Sequence, residues 1–232
     1  MIGVFVNVAA VIIGSVIGLL CKKGINKKIT DAVIVGLGLC VMYVGFTGLL
    51  KGQNAIVAVV SMALGGALGT IIDVDKQINK LGDLVAKKVR RADGQISVAD
   101  GFVTACLLFC VGAMAIVGSL NSGLGVEGGL EMIYTKSVLD FISSIVLSAS
   151  FGIGVICSAA FVLVFQGGIV LLAGLISPIL TANVIAEITC VGSLMIIGLA
   201  LNIVGATKIK IANYLPALIF VPIVVWIMSF VG

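Results

Sequence analysis

Residues 136–208 read KSVLDFISSIVLSASFGIGVICSAAFVLVFQGGIVLLAGLISPILTANVIAEITCVGSLMIIGLALNIVGATK, and the number of times this stretch crosses a bilayer decides the topology of the whole chain. Between its terminal lysines the only charged residues are Asp140 and Glu187. A spanning helix needs about 20 mostly apolar residues, because the hydrocarbon slab is about 30 Å thick and each helical residue rises about 1.5 Å. Either two spans or three fit. An even number returns Lys208 to the side of Lys136, and an odd number puts it opposite. Three segments suggest themselves: 135–152, 155–176, and 184–206 after a break at Ser177, Pro178, Thr181 and Asn183.

Outward from this block the spans are plain. Ile2 to Cys21, Ala32 to Leu50, Ala55 to Ile72 and Gly101 to Leu120 are apolar runs of spanning length, and Ile211 to Val231 is another, with Pro216 and Pro222 set to kink it. The run at Ile2 has no basic residues ahead of it, so it reads as a first span rather than a cleaved signal peptide. With the N-terminus outside, Lys22, Lys23, Lys27 and Lys28 fall inside, as do Lys76, Lys80, Lys87, Lys88, Arg90 and Arg91. Three spans between Lys136 and Lys208 add Lys208 and Lys210 to that side and leave only Lys51 and Lys136 outside. The positive-inside rule therefore favours about eight spans with both termini out, with seven spans plus a re-entrant hairpin around Ser143 to Gly154 as the alternative.

The composition agrees. Of 232 residues 61% are apolar and 10% charged, with mean hydropathy +1.32, whereas a soluble domain carries ~25% charged residues. The expected fold class is an all-α polytopic transmembrane helix bundle, residues 1–232 forming one integral membrane domain. The sequence contains no histidine, which removes the usual residue of general-base, zinc-hydrolase and haem chemistry. No nucleophile, base and orienter can be named together, so no enzyme, cofactor or metal is expected. Cys106 and Cys110, one helical turn apart, could hold a soft metal, but buried cysteine usually serves as a small hydrophobe. The net charge of +4 is a topology signal: no basic stretch is interleaved with stacking aromatics, which argues against nucleic acid as a partner.

One connector has a pattern of its own. Val74, Ile78, Leu81, Val85 and Val89 recur at helical spacing, predicting an amphipathic cytoplasmic helix over about 73–91 whose basic end faces lipid headgroups. Two nonamers, CVGAMAIVG (Cys110 to Gly118) and CVGSLMIIG (Cys190 to Gly198), share five of nine positions, and in the eight-span topology they run antiparallel, as inverted repeats do. Gly14-x-x-x-Gly18 and Gly65-x-x-x-Gly69 read as helix-packing seams, and such glycine-rich faces also suggest homo-oligomers. Gly123 with Gly125, Gly152 with Gly154, and Gln166-Gly167-Gly168 mark places where helices could break.

Polar groups at membrane depth are the functional candidates, because each costs free energy there unless satisfied. Asp140 leads: it stands one turn after Lys136 and one turn before Ser143 and Ser144. An i,i+4 ion pair with Lys136 at the outer interface is its structural alternative. Glu187, four residues after Asn183, is expected to complement the N-terminus of its own helix. Asn7, Asn121, Gln166 and Asn202 form a second tier that either joins helices or lines a solute path. Taken together, these residues point to a secondary transporter or channel for a small solute or ion. Its binding site would be formed by Asp140, Ser143, Ser144, Gln166, Asn121 and Asn202 beside broken helices near the bilayer midplane, with Asp140 binding a cation or carrying a proton. The competing expectation is a non-transporting scaffold or subunit of a larger membrane complex that works through the 73–91 helix.

The stretches FCVGAMAIVGSLNSGL (Phe109 to Leu124), YTKSVLDFISSI (Tyr134 to Ile145), FGIGVICSA (Phe151 to Ala159) and FQGGIVLLAG (Phe165 to Gly174), with VNVAAVIIGSVIGLL at the start and NYLPALIFVPIV at the end, resemble the YdfK/YqgA-like family of uncharacterised bacterial inner-membrane proteins. That resemblance covers nearly the whole chain. It implies a multi-pass protein of the bacterial cytoplasmic membrane, often described as a transporter, and brings no substrate and no ligand residue with it.

Overall fold

The structure, a computed structural model, describes residues 1–21, 27–77, 80, 98–110 and 113–230. The described secondary structure is helical: α1 (Ile2–Cys21), α2 (Lys27–Leu49), α3 (Ala55–Ile72), α4 (Val98–Cys110), α5 (Ala113–Leu124), α6 (Gly129–Phe151), α7 (Gly154–Leu171), the short α8 (Ala173–Ile176), α9 (Ala182–Ile203), a 3-10 turn (Ile211–Tyr214) and α10 (Ala217–Met228). Most of the 73–91 connector lies outside the described residues.

Six segments are long and apolar enough to cross a membrane: α1, α3, α6, α7, α9 and Ile211–Met228. The pair Gly101–Cys110 and Met114–Leu124, whose axes differ by 55°, makes a seventh when taken as one span. The expected second span falls in α2, whose described apolar part is Gly38–Leu49. The block from Lys136 to Lys208 therefore holds three long helices, α6, α7 and α9. Because α6 runs uninterrupted for 23 residues, Ser143 to Gly154 is not a re-entrant hairpin. Gln166-Gly167-Gly168 does not unwind either, and all three sit inside α7, because the apolar residues around them supply a continuous helix with its backbone bonds already satisfied. Breaks occur at Gly125 (φ 69°), Gly128 (φ 81°) and Gly152 (φ 78°), where the chain needs a conformation that side chains resist.

The described helices gather into two compact units, Met1–Val33 with Asn79–Ile176 and Ile34–Ile78 with Ser177–Gly232. In the first, small residues set the packing. A Cβ on Gly14 would run into Ser144 Oγ and the Phe141 carbonyl, and one on Gly18 into the Ile145 carbonyl, so α1 lies with its backbone against α6. The order of contacts, Gly3 to Ile133, Gly14 to Ser144 and Gly18 to Ala149, makes α1 and α6 parallel. Contacts of Gly118 with Ile133 and of Gly101 with Phe151 make the α4–α5 pair antiparallel to α6. Val4, Leu107, Phe109, Ile116, Ile133 and Leu147 are buried among these helices.

In the second unit α2 runs antiparallel to α9, since Gly38 meets Ile203, Gly45 meets Ile197 and Gly48 meets Ser193. Helix α3 runs antiparallel to the last span, with Gly65 against the Ala217 backbone and Gly69 against the Asn213 carbonyl. Both glycine motifs are thus close-packing seams. The two similar nonamers lie one in each unit, the first spanning α4 and α5 and the second inside α9.

Candidate functional site

Asp140 is the middle residue of the 23 in α6, half way along a helix roughly 34 Å long. It is buried, and its carboxylate Oδ2 forms an ion pair with Lys136 Nζ one turn earlier. The pair expected at an outer interface is instead enclosed, since the parallel packing of α1 against α6 covers it. Lys136 Nζ also stands 5.8 Å from the centre of the buried Phe109 ring, a cation–π arrangement that eases the burial of the ammonium.

A second helix completes the carboxylate's environment. Asn7 on α1 is fully buried and donates from Nδ2 to Asp140 Oδ2 at 3.0 Å and to Gln166 Oε1 at 2.9 Å. An ionised carboxylate can only accept, so Asn7 must present its amide nitrogen to it, and the two N–H groups of that nitrogen join α6 to α7 through α1. The result is a chain of polar groups, Lys136–Asp140–Asn7–Gln166, built from three helices and spanning the middle of one unit.

This network is left unfinished. Asn7 Oδ1 and Gln166 Nε2 are buried and have no hydrogen-bond partner, as are the hydroxyls of Ser15 and Ser119 in the same unit. A buried donor or acceptor without a partner costs about 1–3 kcal/mol, so a free acceptor and a free donor flanking one ion pair call for a polar occupant such as water or a solute.

The other predicted site residues sit as follows. Ser144 is buried on α6 and donates to the Phe141 carbonyl at 2.8 Å, against the α1 seam, whereas Ser143 is exposed on the same helix. Asn121 lies partly exposed near the end of α5, its carbonyl accepting from Val126 N–H at 2.9 Å. Asn202 belongs to the second unit and closes the turn after α9: Oδ1 accepts from Thr207 Oγ1 at 2.7 Å and from Ile209 N–H at 2.9 Å, while Nδ2 donates to the Ile209 carbonyl at 2.7 Å. Of the six, Asp140 and Gln166 are brought together, by Asn7, and both stand within unbroken helices rather than beside breaks. The two residues that sequence reasoning left out of the site are Asn7 and Lys136. The signal for Asn7 was its being the one amide inside the first apolar run.

Glu187 has a different role from the one expected. Its own helix is capped by Thr181, whose Oγ1 accepts from Val184 N–H at 3.3 Å. Glu187 Oε1 accepts from Gln53 N–H and Asn54 N–H, each at 2.8 Å, and so complements the N-terminus of α3. Cys106 and Cys110 are both buried, and among the described residues no group of three or more Cys, Asp or Glu is placed to hold a metal ion.

Comparison with known proteins agrees on family. Residues 2–226 match the family described as "Protein of unknown function (DUF554)". The chain is 33% identical to the uncharacterized membrane protein YdfK of Bacillus subtilis (strain 168), an alignment covering all of this chain and 99% of that protein. It is 28% identical to the uncharacterized protein YqgA of Escherichia coli (strain K12), over 94% of this chain and 93% of that one. No solved structure matches it.

Proposed function

The chain belongs to the DUF554 family, and from that premise we propose that it is a transporter or channel for a small solute or ion, with its site at the buried Lys136–Asp140–Asn7–Gln166 network. A helical bundle rather than a β-barrel argues for the cytoplasmic membrane of a bacterium, since outer-membrane spans are built as closed barrels. The observation that carries the reading is a charged pair midway along a spanning helix, joined to two amides that keep one unpartnered acceptor and one unpartnered donor. Ionisable groups within spans are rare and mark ion or solute paths. In the resting state Lys136 serves as a tethered cation for Asp140, and an incoming cation or proton takes its place. Asn7 Oδ1 and Gln166 Nε2 supply the remaining contacts.

The test is flux into proteoliposomes, with an internal pH dye for protons and flame photometry for sodium and potassium. Wild-type protein should exceed empty liposomes for one of these ions. Asp140→Asn and Gln166→Ala should each reduce that flux at least roughly tenfold, the kinetic equivalent of about 1.4 kcal/mol. Equal flux through Asp140→Asn would remove Asp140 from the path.

A further inference from the structure

The second unit carries a pocket that the proposed transport site does not use. A cavity of about 420 Å³ has Glu187 at its floor, Val57, Val225 and Met228 in its walls, and Asn183 and Ser229, both exposed, at its mouth. It lies where the N-terminal ends of α3 and α9 meet the C-terminal end of α10, so it opens at one membrane surface.

The charge balance of the floor is incomplete. Glu187 is fully buried, and its Oε1 is satisfied by two backbone N–H groups at 2.8 Å, but Oε2 is buried with no partner. Among the described residues no lysine or arginine forms an ion pair with Glu187, the Lys136–Asp140 pair belonging to the other unit. Two neutral donors and the partial positive charge of one helix end, about half an elementary charge, do not balance a full carboxylate in an apolar surrounding.

We propose that this cavity binds a small primary ammonium ion. The residues that line the cavity carry three acceptors: Glu187 Oε2, the Asn183 amide oxygen and the Ser229 hydroxyl oxygen. They match the three N–H donors of an R–NH₃⁺ group. The apolar walls accommodate a short alkyl chain, and the volume falls within the ~300–1,000 Å³ usual for small organic ligands, well beyond a dehydrated inorganic cation.

The experiment is thermal unfolding of the full chain in detergent, titrated with ethylammonium chloride and, at equal ionic strength, with sodium, potassium or tetramethylammonium chloride. A ligand that binds the native state raises the melting temperature saturably. Ethylammonium should produce that rise and the three controls should not. Glu187→Gln keeps an acceptor for the Gln53 and Asn54 N–H groups while removing the charge, and it should abolish the response. Should that variant fail to fold, Ser229→Ala at the exposed mouth decides, with the ethylammonium midpoint moving to roughly tenfold higher concentration for the loss of one charge-assisted hydrogen bond. Absence of a saturable rise in the wild type, an equal rise with any control salt, or an unchanged midpoint in Glu187→Gln or Ser229→Ala would overturn the assignment.

Discussion

At the scale of the residue, the buried ion pair makes a prediction that separates stability from function. Removing one member of a buried pair strands the other, which costs about 3–5 kcal/mol, whereas replacing both with apolar residues of similar size is often neutral. Lys136→Met and Asp140→Leu should each lower the unfolding midpoint in detergent strongly, and the double variant should recover most of the loss. If the network is the site, that double variant folds yet carries no flux. Singles that add up in the double would mean that the two groups do not depend on each other. The sequence made Lys136 and Asp140 legible as a pair because they are one helical turn apart. It could not show that Asn7 joins them to Gln166, since those contacts span 133 and 159 residues and depend on which faces of three helices meet. Amides inside apolar runs are visible in a sequence, but whether they converge is a tertiary fact. Asn202 illustrates the other outcome, an amide whose hydrogen bonds all go to the turn that follows its own helix.

At the scale of the element, the hairpin between α6 and α7 sets the distance from Asp140 to Gln166. It turns at Gly152, whose φ of 78° and ψ of −148° lie in a region open almost only to glycine. The turn is tied back by the Gly152 N–H donating to the Ser148 carbonyl at 2.9 Å. Beyond it, a Cβ at Gly154 would strike the Val98 carbonyl, so the start of α7 is pressed against α4. Gly152→Ala should therefore cost about 1–3 kcal/mol of stability, read as a lower thermal midpoint. A midpoint equal to wild type would show that the turn relaxes freely. The glycines at 152 and 154 were legible as a break because they interrupt an apolar run near the end of a spanning length. Gly167 and Gly168 gave the same signal and are helical, with space beside them rather than a turn to make. Glycine in a membrane helix thus marks close approach or a break, and only the neighbours in space decide which. Glu187 makes the related point: its position after Asn183 pointed to the N-terminus of its own helix, whereas the packing gives it to that of α3.

At the scale of the whole molecule, the large apolar side chains left exposed, among them Phe5, Leu39, Ile71, Val164 and Trp226, would be untenable in water and are the lipid-facing surface of a multi-pass protein. Helix directions then constrain topology more tightly than the charge count, which turned on Lys208 and Lys210. Because α1 and α6 are parallel, the chain between them must cross an odd number of times. With α2 and α3 as two crossings, α4 and α5 together form the third, in agreement with their antiparallel run along α6. Three further crossings by α6, α7 and α9 predict that the turn after α9 lies on the face opposite the start of α6. In a chain whose six native cysteines are replaced by serine, Glu127→Cys and Ala206→Cys mark those two exposed turns. A membrane-impermeant maleimide added to intact cells should label Cys at 127, on the side of the N-terminus and opposite the basic loops, and should reach 206 only after permeabilisation. Labelling of both from one face would require an even number of crossings between them, and α7 or α9 would then have to lie within one leaflet. An α7 confined to one leaflet would also move Gln166 away from membrane depth, so the same measurement bears on the proposed transport site.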